Sequence, residues 1–185
     1  MILSDKSILE EMEKGNIKIS PFDIRKLGSN SYDVHLSKHL AEYNGNTHGN
    51  ILDSKKENEI TRFEIPDGGY LLLPNTLYLG STLEYTETHN LVPILEGKSS
   101  IGRLGLFIHV TAGFGDAGFC NHWTLEMVCI HPIRVYAGMP IGQIHYHEIK
   151  GDVLNPYNKK KDSKYTEVSD KPQPSGMWRN FSDNK

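Results

Sequence analysis

The chain has 185 residues, 37% of them hydrophobic and 23% charged, which is enough for one well-filled core. Twenty Lys and Arg against 23 Asp and Glu leave a net charge of -3, so there is no basic field for gripping a nucleic-acid backbone, and DNA or RNA partners are not expected. No apolar run approaches the roughly 18 residues of a membrane span, and the opening MILSDKSILEEMEKG lacks the basic-then-apolar order of a secretory leader, so a cytoplasmic protein with no membrane partner is expected.

The first element predicted is a short helix. Ser4 or Asp5 caps it, Ile8, Leu9 and Met12 share a face, and Gly15 stands where a left-handed stop is wanted. From Ile17 the pattern changes to short β-rich runs broken by Gly, Pro, Asn and Asp, at residues 31–36, 70–73 and 77–83, with a polar insertion at 44–59. Four more runs follow, at 92–95, 105–111, 123–131 and 141–149, with no second helix of useful length between them. This spacing predicts an all-β barrel or sandwich with a small N-terminal helix, occupying residues 1–150. Residues 151–185 are polar, lysine-rich and punctuated by proline, without amphipathic period, and read as a flexible C-terminal tail. Met177 and Trp178 near its end suggest an anchor, the alternative being a loosely ordered terminus.

Three motifs are incomplete. Gly113, Gly115 and Gly118 spell G-x-G-x-x-G after a plausible strand, but FCNHWTLEMVCIH follows with strand character, where the dinucleotide fingerprint needs a helix N-terminus; a tight turn is expected instead. Gly97-Lys98-Ser99 suggests a P-loop, yet Val92 occupies the position of its first glycine. His109, Cys120, His122, Cys129 and His131 are crowded in sequence without zinc-ligand spacing, so no metal site is expected, and the two cysteines read as small apolar residues. They are also too few for a disulfide scaffold. His145 and His147 share one face of a strand, where solvated or hydrogen-bonded imidazoles are the ordinary outcome.

Residues 96–126, EGKSSIGRLGLFIHVTAGFGDAGFCNHWTLE, carry the chemistry. Glu126 sits mid-strand between Leu125 and Met127, with Thr124 and Val128 as same-face neighbours. Burial there would raise its pKa and suit it to proton exchange near neutral pH; the alternative is a structural glutamate paired with Arg103 or with a lysine of a neighbouring chain. Lys98, Ser99, Ser100 and Arg103 place two hydroxyls, an ammonium and a guanidinium within six residues, which suits a polyphosphate or makes an ordinary polar turn. Asp116 either accepts from a sugar hydroxyl and orients a water, or caps its own turn.

Taken together, these residues resemble the dCTP deaminase family of the trimeric dUTPase-like superfamily. The resemblance extends to MILSDKSI, PFD, LGSNSYDVHL, GMPIGQI and PYNKKKDSKY, and so covers most of the chain. It implies a distorted dUTPase-like β-barrel, a homotrimer with active sites at subunit interfaces, and a deoxynucleoside triphosphate substrate carrying Mg2+ through its phosphates, with no zinc. The family's catalytic glutamate falls on Glu126, which would deprotonate a water for attack at C4 of cytosine. Its serine and arginine fall on Ser99 and Arg103, within a nucleotide-contacting loop of Lys98, Ser99, Ser100, Ile101, Gly102 and Arg103. Asp116 falls beside the deoxyribose, Thr124 and Leu125 present backbone groups to the base, and Tyr157 and Lys164 close over the triphosphate.

The implied activity is that of a hydrolase cleaving a cyclic amidine C–N bond, turning dCTP into dUTP and ammonia in pyrimidine deoxynucleotide synthesis, with dTTP as a feedback inhibitor. Two alternatives accompany it, a bifunctional enzyme that continues to dUMP and a nucleotide-binding module without chemistry. Val168 stands where many members carry a glutamine four residues after the tail lysine. Gly113-Phe114 resembles the dUMP-forming members, whereas dUTP-releasing ones often have His-Arg.

Overall fold

The computed structural model describes residues 1–44, 51–109 and 112–182. The parts of the predicted insertion at 45–50 and of the predicted strand at 110–111 lie outside the described residues, as do residues 183–185.

Helix α1 spans Asp5–Glu13, and Ser4 caps it by accepting from the Ser7 N–H at 3.3 Å. Gly15 follows at φ 76°, as the stop signal predicted. Ile8 is fully buried and Met12 packs on the same core, so the apolar face of the helix plugs one flank of the barrel.

The described residues then form twelve strands: β1 (Ile17–Ser20), β2 (Tyr32–Tyr43), β3 (Ile60–Glu64), β4 (Tyr70–Leu72), β5 (Tyr78–Thr82), β6 (Tyr85–Thr88), β7 (Leu91–Gly97), β8 (Leu106–Phe107), β9 (Cys120–Asn121), β10 (Thr124–Cys129), β11 (Ile133–Val135) and β12 (Pro140–Glu148). All the pairings are antiparallel. The main sheet runs β7-β12-β2-β5-β10-β8, with β3 added to the far half of β2; β1-β6-β9 and β11-β4 complete the wall. The long β2 bends where its register on β5 shifts between Leu36 and Leu40, and β12 shifts against β2 between Pro140 and Gly142. Such irregularities let a sheet curl into a distorted barrel.

Alternation decides what fills the barrel. Tyr32, Val34, Leu36 and Leu40 of β2, Leu95 of β7, Leu125 and Met127 of β10, and Ile144 and Tyr146 of β12 are all buried. Each such side chain contributes about 1.5–3 kcal/mol of burial. The residues between them face outward, and on β10 these are Thr124, Glu126 and Val128. A four-residue helical turn, α2 (Ser99–Gly102), follows β7 and is pinned by buried Ile101. No helix among the described residues is long and apolar enough to cross a membrane.

Candidate active site

Glu126 opens onto a cleft of about 810 Å³ between the β5–β10 wall, the 112–119 turn and the tail. Strand alternation sends its neighbours Leu125 and Met127 into the core and turns the carboxylate outward, so its side chain is 40% exposed. This corrects the expectation of a buried glutamate. Within its own chain its partner is not the Arg103 considered but His109, whose Nδ1 lies 2.5 Å from Glu126 Oε2. With the carboxylate ionised, Nδ1 carries the shared proton. Oε1 then has no protein partner among the described residues and faces whatever enters the cleft.

His109 is the functional residue that sequence reasoning missed. Its side chain is only 3% exposed, its backbone is held at φ 47°, and its ring meets Trp123 edge-on at 6.0 Å between centroids. Its buried Nε2 has no hydrogen-bond partner among the described residues. Trp123 is locked in turn: its N–H donates to Thr82 Oγ1, its carbonyl accepts from the Thr82 N–H, and Nε1 donates to Thr86 Oγ1. The dyad therefore stands on a fixed aromatic base.

Of the predicted site residues, Asp116, Thr124, Glu126, Tyr157 and Lys164 line this cleft. The Gly-rich segment is the expected tight turn. Leu95 N–H donates to the Gly113 carbonyl and Gly115 N–H to the Pro93 carbonyl, which lays the turn along β7. At Gly118, φ is 90° and a Cβ would come within 2.9 Å of Pro156, Tyr157 and Asn158, so only glycine lets the tail approach. Asp116 is half exposed and faces Lys160 Nζ at 3.5 Å, a surface pair of little stabilising weight. Leu125 is fully buried and pairs with Gly80 of β5. On its other edge β10 pairs β8 only at Val128 and Cys129, so the edge at Thr124 to Met127 has no strand partner among the described residues.

The tail runs along the barrel. Tyr157 N–H donates to the Ala117 carbonyl, and its ring meets Phe119 at 5.6 Å, with Phe119 against Trp123 at 4.8 Å. Burial raises the phenol pKa of Tyr157. Its buried residues are Pro172 and Gly176 rather than the suggested anchors, since Met177 is 46% exposed and Trp178 is only partly covered. Val168 is exposed, and Gln173 lines the cleft with its N–H on Thr124 Oγ1 at 3.1 Å.

The remaining predicted residues stand outside the cleft lining. Ser99, Ser100, Gly102 and Arg103 are exposed on α2, and Ile101 faces the core. Lys98 caps the turn by position, with its ammonium 2.5 Å from Asp33 Oδ2 on β2. Arg103 makes no side-chain hydrogen bond or ion pair among the described residues.

The crowded His and Cys residues do not converge. Cys129 is buried in the core, His122 meets the Thr82 carbonyl, His131 is exposed and His109 faces Glu126. Burial raises the Cys120 thiol, which keeps it protonated and a poor nucleophile. The one His/Cys/carboxylate trio found among the described residues, Glu87, His89 and Cys120, is not part of the cleft. The rings of His145 and His147 lie 5.1 Å apart between centroids with a 50° tilt, and each has one buried nitrogen without a hydrogen-bond partner among the described residues, where solvated or hydrogen-bonded imidazoles were expected.

A family model described as dCTP deaminase-like matches residues 2–149. A protein of Cytophaga hutchinsonii, named "dCTP deaminase, dUMP-forming", is 50% identical over 181 residues, covering 98% of this chain and 99% of that protein. Proteins of the same name from Leptospira biflexa and Clostridium acetobutylicum are each 48% identical over 181 residues, covering 98% of this chain and 98% and 99% of their own lengths. Among solved structures, the 2'-deoxycytidine 5'-triphosphate deaminase of Agrobacterium tumefaciens superposes with a TM-score of 0.61 at 19% identity. That match covers 83% of this chain and 50% of the other, and it supports the distorted barrel. A family match spanning the whole barrel, and relatives alike over nearly their full length, make the resemblance one of descent: the chain belongs to the dCTP deaminase-like family.

Proposed function

We propose that the protein is a dCTP deaminase that forms dUMP, with the cleft around Glu126 as one half of each active site. The observation that carries this reading is that a strand carboxylate held by a buried imidazole and a turn carboxylate, Asp116, line one cleft beneath a lysine-bearing tail. The names of the relatives and the Gly113-Phe114 turn support dUMP over dUTP as the final product.

In this mechanism Glu126 takes a proton from a water as the oxygen attacks C4 of cytosine and delivers it to N3 as the C4=N3 double bond opens, giving a tetrahedral carbon that bears OH and NH2. The carboxylate then carries the hydroxyl proton to the amino nitrogen, the C4 carbonyl forms as the C–N bond breaks, and ammonia leaves. His109 holds Oε2, so Oε1 is the oxygen that exchanges protons. Asp116 orients a second water toward the α-phosphorus, and pyrophosphate departs from dUMP.

Tyr157 and Lys164 close over the triphosphate, and Lys164 neutralises phosphate charge. The magnesium ion belongs to the substrate, carried by its triphosphate. Ser99 and Arg103 hold the attacking water and the base, and Lys98 meets the phosphates. Because all three lie outside the cleft lining of their own chain, they serve the cleft of a second copy in a homotrimer. dTTP occupies the same cleft as a feedback inhibitor.

The test is a time course with dCTP and magnesium, resolved by anion exchange. Release of dUMP and pyrophosphate without free dUTP is expected. Accumulation of dUTP would remove Asp116 from the chemistry and leave a simple deaminase, and tight binding without turnover would leave a nucleotide-binding module.

A further inference from the structure

Asn121 on β9 is 1% exposed, and its side-chain amide is saturated. Nδ2 donates to the carbonyls of Tyr165 at 3.1 Å and Glu167 at 2.9 Å. Oδ1 accepts from the N–H of Ser169 at 3.0 Å and from that of its neighbour His122 at 2.9 Å. Three of these four bonds reach alternate tail residues, 165, 167 and 169, which is the period of an extended chain. A single buried side chain thus acts as the pairing edge for a segment that has no strand partner among the described residues. Ser81, Thr124 and Tyr43 also hold the tail, with one bond each, to the Asp170 carbonyl and to the N–H groups of Gln173 and Ser175.

We propose that Asn121 is a positioning residue for the reaction, fixing the register of the tail and thereby setting Lys164 and Tyr157 over the substrate triphosphate. This rests on the functional reading above. Lys164 directly precedes the first residue that Asn121 holds. Its stem packs on Gly176, whose N–H is bound by the Tyr165 hydroxyl, so a slip at 165–169 displaces both contacts. Asn121→Asp replaces two donors with an acceptor facing two carbonyls, and Asn121→Ala leaves three tail groups without their partner. Ser169→Pro removes the bond to Asn121 from the tail side, together with the two local bonds between the Ser169 hydroxyl and Lys171, and leaves the barrel untouched, which covers the case of misfolding at β9.

The experiment reads tryptic cleavage after Lys164 by mass spectrometry, beside steady-state kinetics on dCTP. Cleavage about tenfold faster, with KM raised about tenfold and kcat within about threefold, is expected for Asn121→Asp, with smaller shifts in the same direction for the other two variants. Unchanged cleavage in all three variants overturns the proposal, and so does faster cleavage with unchanged KM. Failure of the unmodified protein to release ammonia from dCTP would break the functional reading instead, while the cleavage comparison would still judge the latch.

Discussion

The cleft around Glu126 and the turn from Lys98 to Arg103 come from one continuous stretch of sequence, yet they are opposite kinds of surface. The cleft is concave, its carboxylate is held by a buried imidazole, and its floor is a locked tryptophan. The turn is convex and exposed, anchored by one buried isoleucine and one ion pair to Asp33. A group whose position is set inside its own chain is ready for chemistry. The guanidinium of Arg103 has no internal partner among the described residues, as the role proposed for it toward a second copy requires. The difference teaches that a motif contiguous in sequence can hold two surfaces of opposite kind, which the proposed function reads as two half-sites that meet between copies.

The largest effect expected is at the cleft. Glu126→Gln keeps the shape and removes the proton carrier, so ammonia release from dCTP falls by about a thousandfold, while hydrolysis of added dUTP is retained in part; surviving dCTP turnover would break the assignment.

Arg103→Ala, on the turn, lowers turnover by about a hundredfold. Mixing it with Glu126→Gln sharpens the comparison, because unfolding and refolding the two inactive proteins together should restore about a quarter of normal activity in mixed trimers. If the mixture were no more active than its parents, the two regions would not serve one another.

The smallest effect is at Lys98→Ala. KM for dCTP rises about tenfold with kcat nearly unchanged, as befits a phosphate contact that already has Asp33 as a partner. A loss in kcat instead would place Lys98 with the chemistry.

The legible parts of the molecule were those written in local pattern. Ser4 and Gly15 mark the ends of α1, and alternation along β10 gives the sidedness of Glu126, although not its exposure, which depends on the cleft opening in front of it. β6 was missed because its inward residues are Thr86 and Thr88, which are buried and yet carry no hydrophobic signal. Thr86 instead accepts from the Trp123 indole, a partner 37 residues away. His109 was weighed only as a zinc ligand, since nothing in its spacing connects it to Glu126 and the positive φ that aims it is set by tertiary packing. The tail read as disordered because it lacks a core of its own. Its order comes from main-chain bonds to Asn121, Thr124 and Tyr43, and these leave no periodicity in the tail sequence itself.

Gly118 joins the turn to the tail, and this constrains how the two can diverge. A side chain at that position is excluded twice, once by its dihedral angle and once by the backbone of Tyr157 lying against it. Turn and tail are therefore sterically coupled through this one position. A chimera that exchanges residues 151–182 for the tail of a relative must keep glycine at 118, whereas a relative whose tail folds along another path is freed from the steric half of the constraint and keeps only the conformational half.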